Sequence, residues 1–401
     1  MFIPLSDEYL KDKIMKHLIF IMVICLGIFA ANQTSAQNTS QEYADYLKNN
    51  AVKPIDFVLS KLKDYRIVAI GEDHWIANHT PLFCEVLREA AKHDETRPQV
   101  VALEFGNELD QKTVNTVTHA PVFMPDSVKK ILQHAPDLYG NPFKEYFDVF
   151  KCIWEINQTL PEEKKIYISL LDPASTQDAF NKTSIQRGKD RDMAMFEKLR
   201  ANLVNGAKII FYAGQAHTQK QIRGYKPRNC DFYYNYPSAG YLIKSVYPND
   251  VYTIDLWAPL NMGLGYETNP QTGKWNEKSN GKFDRAFELN GNKPCGFDIH
   301  NSIWGDITMM EYFCPPGKED VYYPSHPKDG NPYSREVILS QLIDGIIFVK
   351  PSSEFSGGTL IDIYTPDFVE TCKRRSNGTL TNAESILRQV NKWHHLMKLP
   401  K

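Results

Sequence analysis

Four groups of polar residues in this 401-residue chain directly follow apolar runs, and their types suit acid–base chemistry. The first is Gly71-Glu72-Asp73-His74, with His79 a little beyond, and the second is Glu104 in Leu103-Glu104-Phe105-Gly106. The third is Asp172, and the fourth is Gly214-Gln215-Ala216-His217. A carboxylate beside an imidazole fixes the ring's tautomer, and imidazole titrates near neutrality, so Glu72 with His74 can take a proton from water. The same atoms can hold a divalent cation (manganese, cobalt or zinc), with Glu72, His74, Glu104 and His217 as ligands and the bound water as nucleophile. The residues alone leave both chemistries open. Gly71 and Gly214 let the backbone turn sharply and come close to a ligand. A carboxylate that follows a buried strand is costly without a partner, so Glu72 and Glu104 are expected to be paired. His79, Glu104 and Asp172 are expected in supporting or substrate-binding places.

The elements that must position these residues show in the hydrophobic periodicity. Ile55, Val58, Leu59 and Leu62 recur at helical spacing, and residues 66–70 read as a short buried strand stopping at Gly71. Leu82, Phe83, Val86, Leu87 and Ala90 form the next helical face, and residues 100–103 form a strand ended by Glu104. Phe143, Phe147, Phe150 and Trp154 mark a helix, residues 166–171 a strand running into Asp172, and residues 187–202 a charged helix. Residues 209–213 are an apolar strand terminated by Gly214. This alternation predicts an α/β fold, a three-layer sandwich whose central, mostly parallel sheet is covered by helices. In such sheets ligand-contacting residues collect beyond the carboxyl ends of the strands, where all four polar groups fall.

Residues 241–246 and 251–256 are predicted to add strands, the second antiparallel at an edge. The α/β catalytic or ligand-binding core thus spans 37–260. From 261 to 335 the sequence is rich in Gly, Asn, Pro and aromatic residues without helical period, which reads as an insertion or lid. Residues 336–401 complete the core, with a strand at 345–349 and a helix after Thr379.

Lys and Arg number 46 against 48 Asp and Glu, and no basic run stands out, which argues against nucleic acid as a partner. A small molecule or a peptide is the expected substrate. Residues 1–36 read as a signal peptide, with Met15 an alternative start: Lys11, Lys13 and Lys16 precede an apolar run over 18–31, and Thr34-Ser35-Ala36 precedes Gln37. The run is short of the ~20 residues a membrane span needs, so no stable transmembrane segment is expected after leader removal. The expected location is the bacterial periplasm or exterior. Cys84 and Cys152 read as buried free thiols, and Cys295 with Cys314 is the pair to test for a disulfide.

The pattern GExH after a strand, Glu at the end of the next, Lys189-Asp190-Arg191-Asp192-Met193 on a helix and a later GxxH resembles a known superfamily. It is that of the erythromycin esterases, Tiki/TraB-type proteases and ChaN-type haem-binding proteins, and the similarity runs over residues 55–255. The helix motif looks most like the esterase branch; the Glu72–His74 spacing, with His79 beyond, looks more like the ChaN branch. On composition alone Arg191 shares a solvated helix face with Arg187; the resemblance implies that it is a site residue. It also implies a hydrolase of ester or amide bonds, in which His74 supported by Glu72 deprotonates water. His217 and Arg191 would then stabilise the oxyanion or protonate the leaving group, with a metal ion in the protease-like version. The alternative it implies is a non-enzymatic haem- or metal-binding protein, with His74 or His79 as axial ligand.

Overall fold

The structure is a computed structural model that describes residues 39–135, 138–174, 184–225, 234–259, 278–308, 311–312 and 337–396. Residues 1–36, read above as a signal peptide, and Cys230 and Cys314 lie outside the described residues. Nine strands are described: β1 Ile67–Glu72, β2 Val100–Asn107, β3 Tyr167–Asp172, β4 Ile209–Gly214, β5 Ile222–Tyr225, β6 Tyr234–Pro237, β7 Val251–Leu256, β8 Cys295–Asp298 and β9 Gly345–Phe348. Seven of them form one sheet in the order β3-β2-β4-β1-β7-β9-β8, while β5 and β6 pair as a separate antiparallel ribbon. Every pairing in the large sheet is parallel except β8 with β9.

All residues of β1, β2, β4 and β7 are buried, as strands covered on both faces require. The strand period of two sends alternate residues to opposite layers. Val68, Ile70, Val101, Leu103, Ile210 and Ile254 enter one core, packed with Phe57, Val58 and Leu62 of helix Pro54–Asp64 and with Phe83, Val86 and Leu87 of helix His79–Ala90. Ile67, Ala69, Ala102, Ile209 and Phe211 enter the other, against Met195, Leu199 and Leu203 of helix Ser184–Val204 and Ile243 of helix Ala239–Val246. The result is a three-layer α/β sandwich, as the alternation predicts.

The structure differs from the sequence reading in three places. Residues 241–246 belong to a helix, Ala239–Val246, because Ser238 caps its start by accepting a hydrogen bond from the Tyr241 N–H. Strand β7 is parallel and lies inside the sheet, between β1 and β9, since its burial along the whole strand suits a central place. Within the stretch read as insertion or lid, Cys295–Asp298 supplies β8, and helix Lys282–Leu289 packs Phe283 and Phe287 against Trp304 in the main core. Toward the C-terminus, β9 joins the sheet, and Phe368, Cys372, Ile386 and Val390 of helices Pro366–Arg375 and Ala383–Leu396 form a small cluster of their own. Cys84, Cys152, Cys295 and Cys372 are buried free thiols. Among the described residues no helix is long and apolar enough to cross a membrane.

Candidate active site

The parallel ladders bring three of the four polar groups together. Pairing of β1 with β4 sets Gly71 beside Ala213 and Glu72 beside Gly214. On the other side of β4, the ladder with β2 ends at Leu103 opposite Tyr212, so Glu104 is the first residue past it. Glu72 and Glu104 therefore flank the turn that carries His217 in the helical turn Gln215–Thr218. Asp172 ends β3, next to β2.

Both glycines are required for protein packing. A Cβ at Gly214 would stand 2.7 Å from His74 Nε2 and 3.3 Å from Glu104 Oε2. A Cβ at Gly71 would run into Thr218 Oγ1 and lie 2.9 Å from the Cα of Gln215, because the His217 helix crosses directly over the end of β1.

Glu104 Oε1 is the centre of the cluster. His217 Nε2 lies 3.3 Å from it, His74 Nε2 3.6 Å, and Arg191 Nη2 2.6 Å, while Gly214 N–H donates to the other oxygen at 2.6 Å. Each imidazole is held from behind by a second carboxylate. His74 Nδ1 lies 2.9 Å from Glu72 Oε1, and His217 Nδ1 lies 2.7 Å from Asp192 Oδ1. With Nδ1 carrying the proton toward its carboxylate, each Nε2 faces the shared centre. Arg191 also grips Asp172 with two hydrogen bonds, at 2.5 and 3.1 Å. Arg191 and Asp192 are consecutive on one helix, so one turns toward β2 and β3 and the other toward His217.

The charges respond to this crowding. Burial alone would lower the affinity of His74 for its proton, but the facing Glu104 and then Glu72 outweigh burial and hold its pKa well above 6.5. His217 is raised in the same way, burial being overcome by Glu104 and Asp192. Burial works against the ionised form of Glu104, yet His217, His74 and Arg191 hold it well below 4.5. Burial lifts Asp172 to about 6, and Arg191 opposes that rise, so the pair remains ionic at neutral pH.

Two other residues noted in the sequence lie apart. His79 is fully buried, its Nε2 3.1 Å from the Trp257 carbonyl and its ring against Phe355, and burial lowers its pKa. Asp73 is buried too, and its charge acts on Asp255, Lys278 and Tyr312, a neighbouring polar group. Three site residues escape the sequence reading: Asp192, Tyr146 and Tyr212. Asp192 stood beside Arg191 in the helix motif, and each tyrosine is buried, where its hydroxyl must find a partner. For both tyrosines that partner is Glu72.

Among the described residues no three acidic, histidine or cysteine side chains are placed to share one ion. Both Glu72 oxygens already accept from protein donors, and an ion on Glu104 Oε1 would have to displace the Arg191 guanidinium.

No family model matches the chain, and no curated protein matches it in sequence. Solved structures do match. A Bacillus cereus protein aligns with TM-score 0.53 at 10% identity, covering 81% of this chain and 100% of its own. A succinoglycan biosynthesis protein gives TM-score 0.53 at 11% identity over 79% of this chain and 97% of its own. A mutant erythromycin esterase in its open conformation gives 0.48 at 12% identity over 78% and 99%. Fold and site together define a class: a three-layer α/β protein with a buried His/Glu/Asp cluster at the carboxyl ends of its central strands. The neighbours also include ChaN of Campylobacter jejuni, with TM-score 0.34 at 13% identity over 51% of this chain and 86% of its own.

Proposed function

We propose that this protein is an exported hydrolase that cleaves an ester or amide bond with water activated by His74 under the control of Glu72. The observation that carries this reading is the convergence of two carboxylate-backed imidazoles on one oxygen, Glu104 Oε1, at 3.3 and 3.6 Å. His74 has 37% of its side chain open and His217 only 6%, so His74 is the imidazole a substrate reaches. In its neutral form His74 takes a proton from water at Nε2 while the water oxygen attacks the carbonyl carbon. His217, the second imidazole facing this centre, stabilises the tetrahedral oxyanion. Collapse then breaks the bond to the leaving alkoxide or amine, which takes the proton back from His74. Arg191 is occupied with Glu104 and Asp172, so its part is to hold Glu104 in place. The leader-like order of residues 11–36 supports export.

The test is a panel of p-nitrophenyl esters and anilides with the wild type, His74→Ala and His217→Ala. Loss of a base of this kind costs about 10²–10⁴-fold in rate. Both variants are expected to keep native circular dichroism and lose hydrolysis. Full activity in His74→Ala would end the proposal, and loss of fold in both would make the cluster structural.

A further inference from the structure

We infer that Tyr146 is a positioning residue for the reaction proposed above, one hydroxyl that fixes the turn Glu72-Asp73-His74-Trp75 from both ends, with Tyr212 securing the other oxygen of Glu72. The inference rests on the proposed role of His74.

Tyr146 lies on helix Lys144–Thr159 and Tyr212 on β4, and both are buried. The Tyr146 hydroxyl donates to Glu72 Oε1 at 2.5 Å and accepts the Trp75 N–H at 3.1 Å. It thereby touches the residues on both sides of His74. Trp75 needs such a hold: its φ of 71° is left-handed, which a bulky side chain rarely adopts unless its surroundings enforce it. Its carbonyl is fixed as well, accepting the Gly358 N–H at 2.7 Å. Tyr212 donates to Glu72 Oε2 at 2.6 Å.

Glu72 thus receives three protein hydrogen bonds: two from phenols and one from His74 Nδ1. Burial, and then the Glu72 charge, hold both phenols well above 10, so they remain donors throughout the working pH range. A carboxylate held at both oxygens cannot rotate. His74 Nδ1 then has one fixed acceptor, and Nε2 points where water must be activated. The phenols also draw negative charge away from Glu72, which limits how strongly it pulls on the His74 proton. Both rings are anchored independently of their hydroxyls, Tyr146 against Phe105 at 4.4 Å and Tyr212 stacked on Phe83 at 4.0 Å. Phenylalanine at either position keeps that packing and removes only the hydrogen bonds.

The experiment compares wild type, Tyr146→Phe, Tyr212→Phe and His74→Ala by two readouts at one fixed pH. One is kcat and KM on p-nitrophenyl butyrate. The other is the ¹H and ¹⁵N shift of His74 Nδ1–H in histidine-labelled protein without substrate, assigned by its loss in His74→Ala. In Tyr146→Phe, kcat is expected to fall at least about tenfold with KM unchanged, as misorientation of a base does. Its Nδ1–H signal moves downfield as Glu72 pulls harder on the histidine. Tyr212→Phe moves both readouts the same way by a smaller amount, because it leaves the Trp75 end of the turn in place.

Wild-type kcat and an unmoved Nδ1–H signal in Tyr146→Phe would overturn the inference, as would loss of native circular dichroism in both phenylalanine variants. If His74→Ala retains hydrolysis, the proposed function itself fails. If His74→Ala is inactive while Tyr146→Phe is normal, only the positioning role fails. The spectroscopic readout decides the clamp even where the ester is not turned over.

Discussion

Replacing Glu104 with glutamine tests the electrostatic design of the site most directly, because one oxygen of this residue faces two imidazoles and a guanidinium. The variant keeps the shape and an acceptor for the Gly214 N–H but removes the charge. At the 3.6 Å separation from His74, a unit charge is worth about 4–5 kcal/mol at an effective dielectric constant near 20. The His74 side chain is 37% open, so solvent screens a large part of this. What remains lowers the His74 pKa by about one to two units, at 1.36 kcal/mol per unit. The sign is fixed: losing the negative charge destabilises the imidazolium, so His74 gives up its proton at lower pH. Hydrolysis needs the neutral ring, so the wild-type acid limb of kcat/KM falls above pH 6.5 and activity rises toward alkaline pH. In Glu104→Gln that limb moves to lower pH by the same one to two units, even though the maximal rate drops. The assay is a pH profile of kcat/KM on a p-nitrophenyl ester beside an NMR titration of His74. A limb that stays put or moves to higher pH would refute the account of Glu104 as the main support of the His74 charge.

Other perturbations follow from the same contacts. Arg191→Met leaves Glu104 and Asp172 buried without their shared cation, and breaking a buried ion pair costs about 3–5 kcal/mol; urea melts of Arg191→Met and Arg191→Lys should show the larger loss in methionine, and equal stability of methionine and wild type would contradict the pairing. Gly71→Ala forces a methyl group into Thr218 Oγ1 and the backbone of Gln215, displacing His217 and costing about 1–3 kcal/mol by overpacking. A lowered melting temperature together with reduced kcat is the expected pair, and wild-type values in both would show that the His217 helix yields freely. Treatment with EDTA is expected to leave hydrolysis unchanged, since Glu72 and Glu104 are already engaged by protein donors; activity lost to the chelator and restored by manganese, cobalt or zinc would make the reaction metal-dependent.

The sequence by itself determined the layer order and half of the site. Apolar runs of five or six residues between amphipathic helices allow little but a covered, parallel sheet, and an ionisable residue directly after such a run must sit at a strand end with a partner. For that reason Glu72, His74, Glu104 and His217 were legible from the chain alone. Periodicity reports whether a residue is buried and says nothing of which distant residue lies beside it. Only the tertiary structure places β4 between β1 and β2, which joins Glu104 to Gly214 across 110 residues and puts both imidazoles on one oxygen. The same holds for Tyr146 and Tyr212, 74 and 140 residues from the Glu72 they serve, whose hydroxyls meet their partner only in the folded chain. His79 shows the converse. It follows His74 closely in the chain, but the helix it begins turns its ring inward to the Trp257 carbonyl, so the packing of that helix, not the spacing of histidines, decides which imidazole meets solvent.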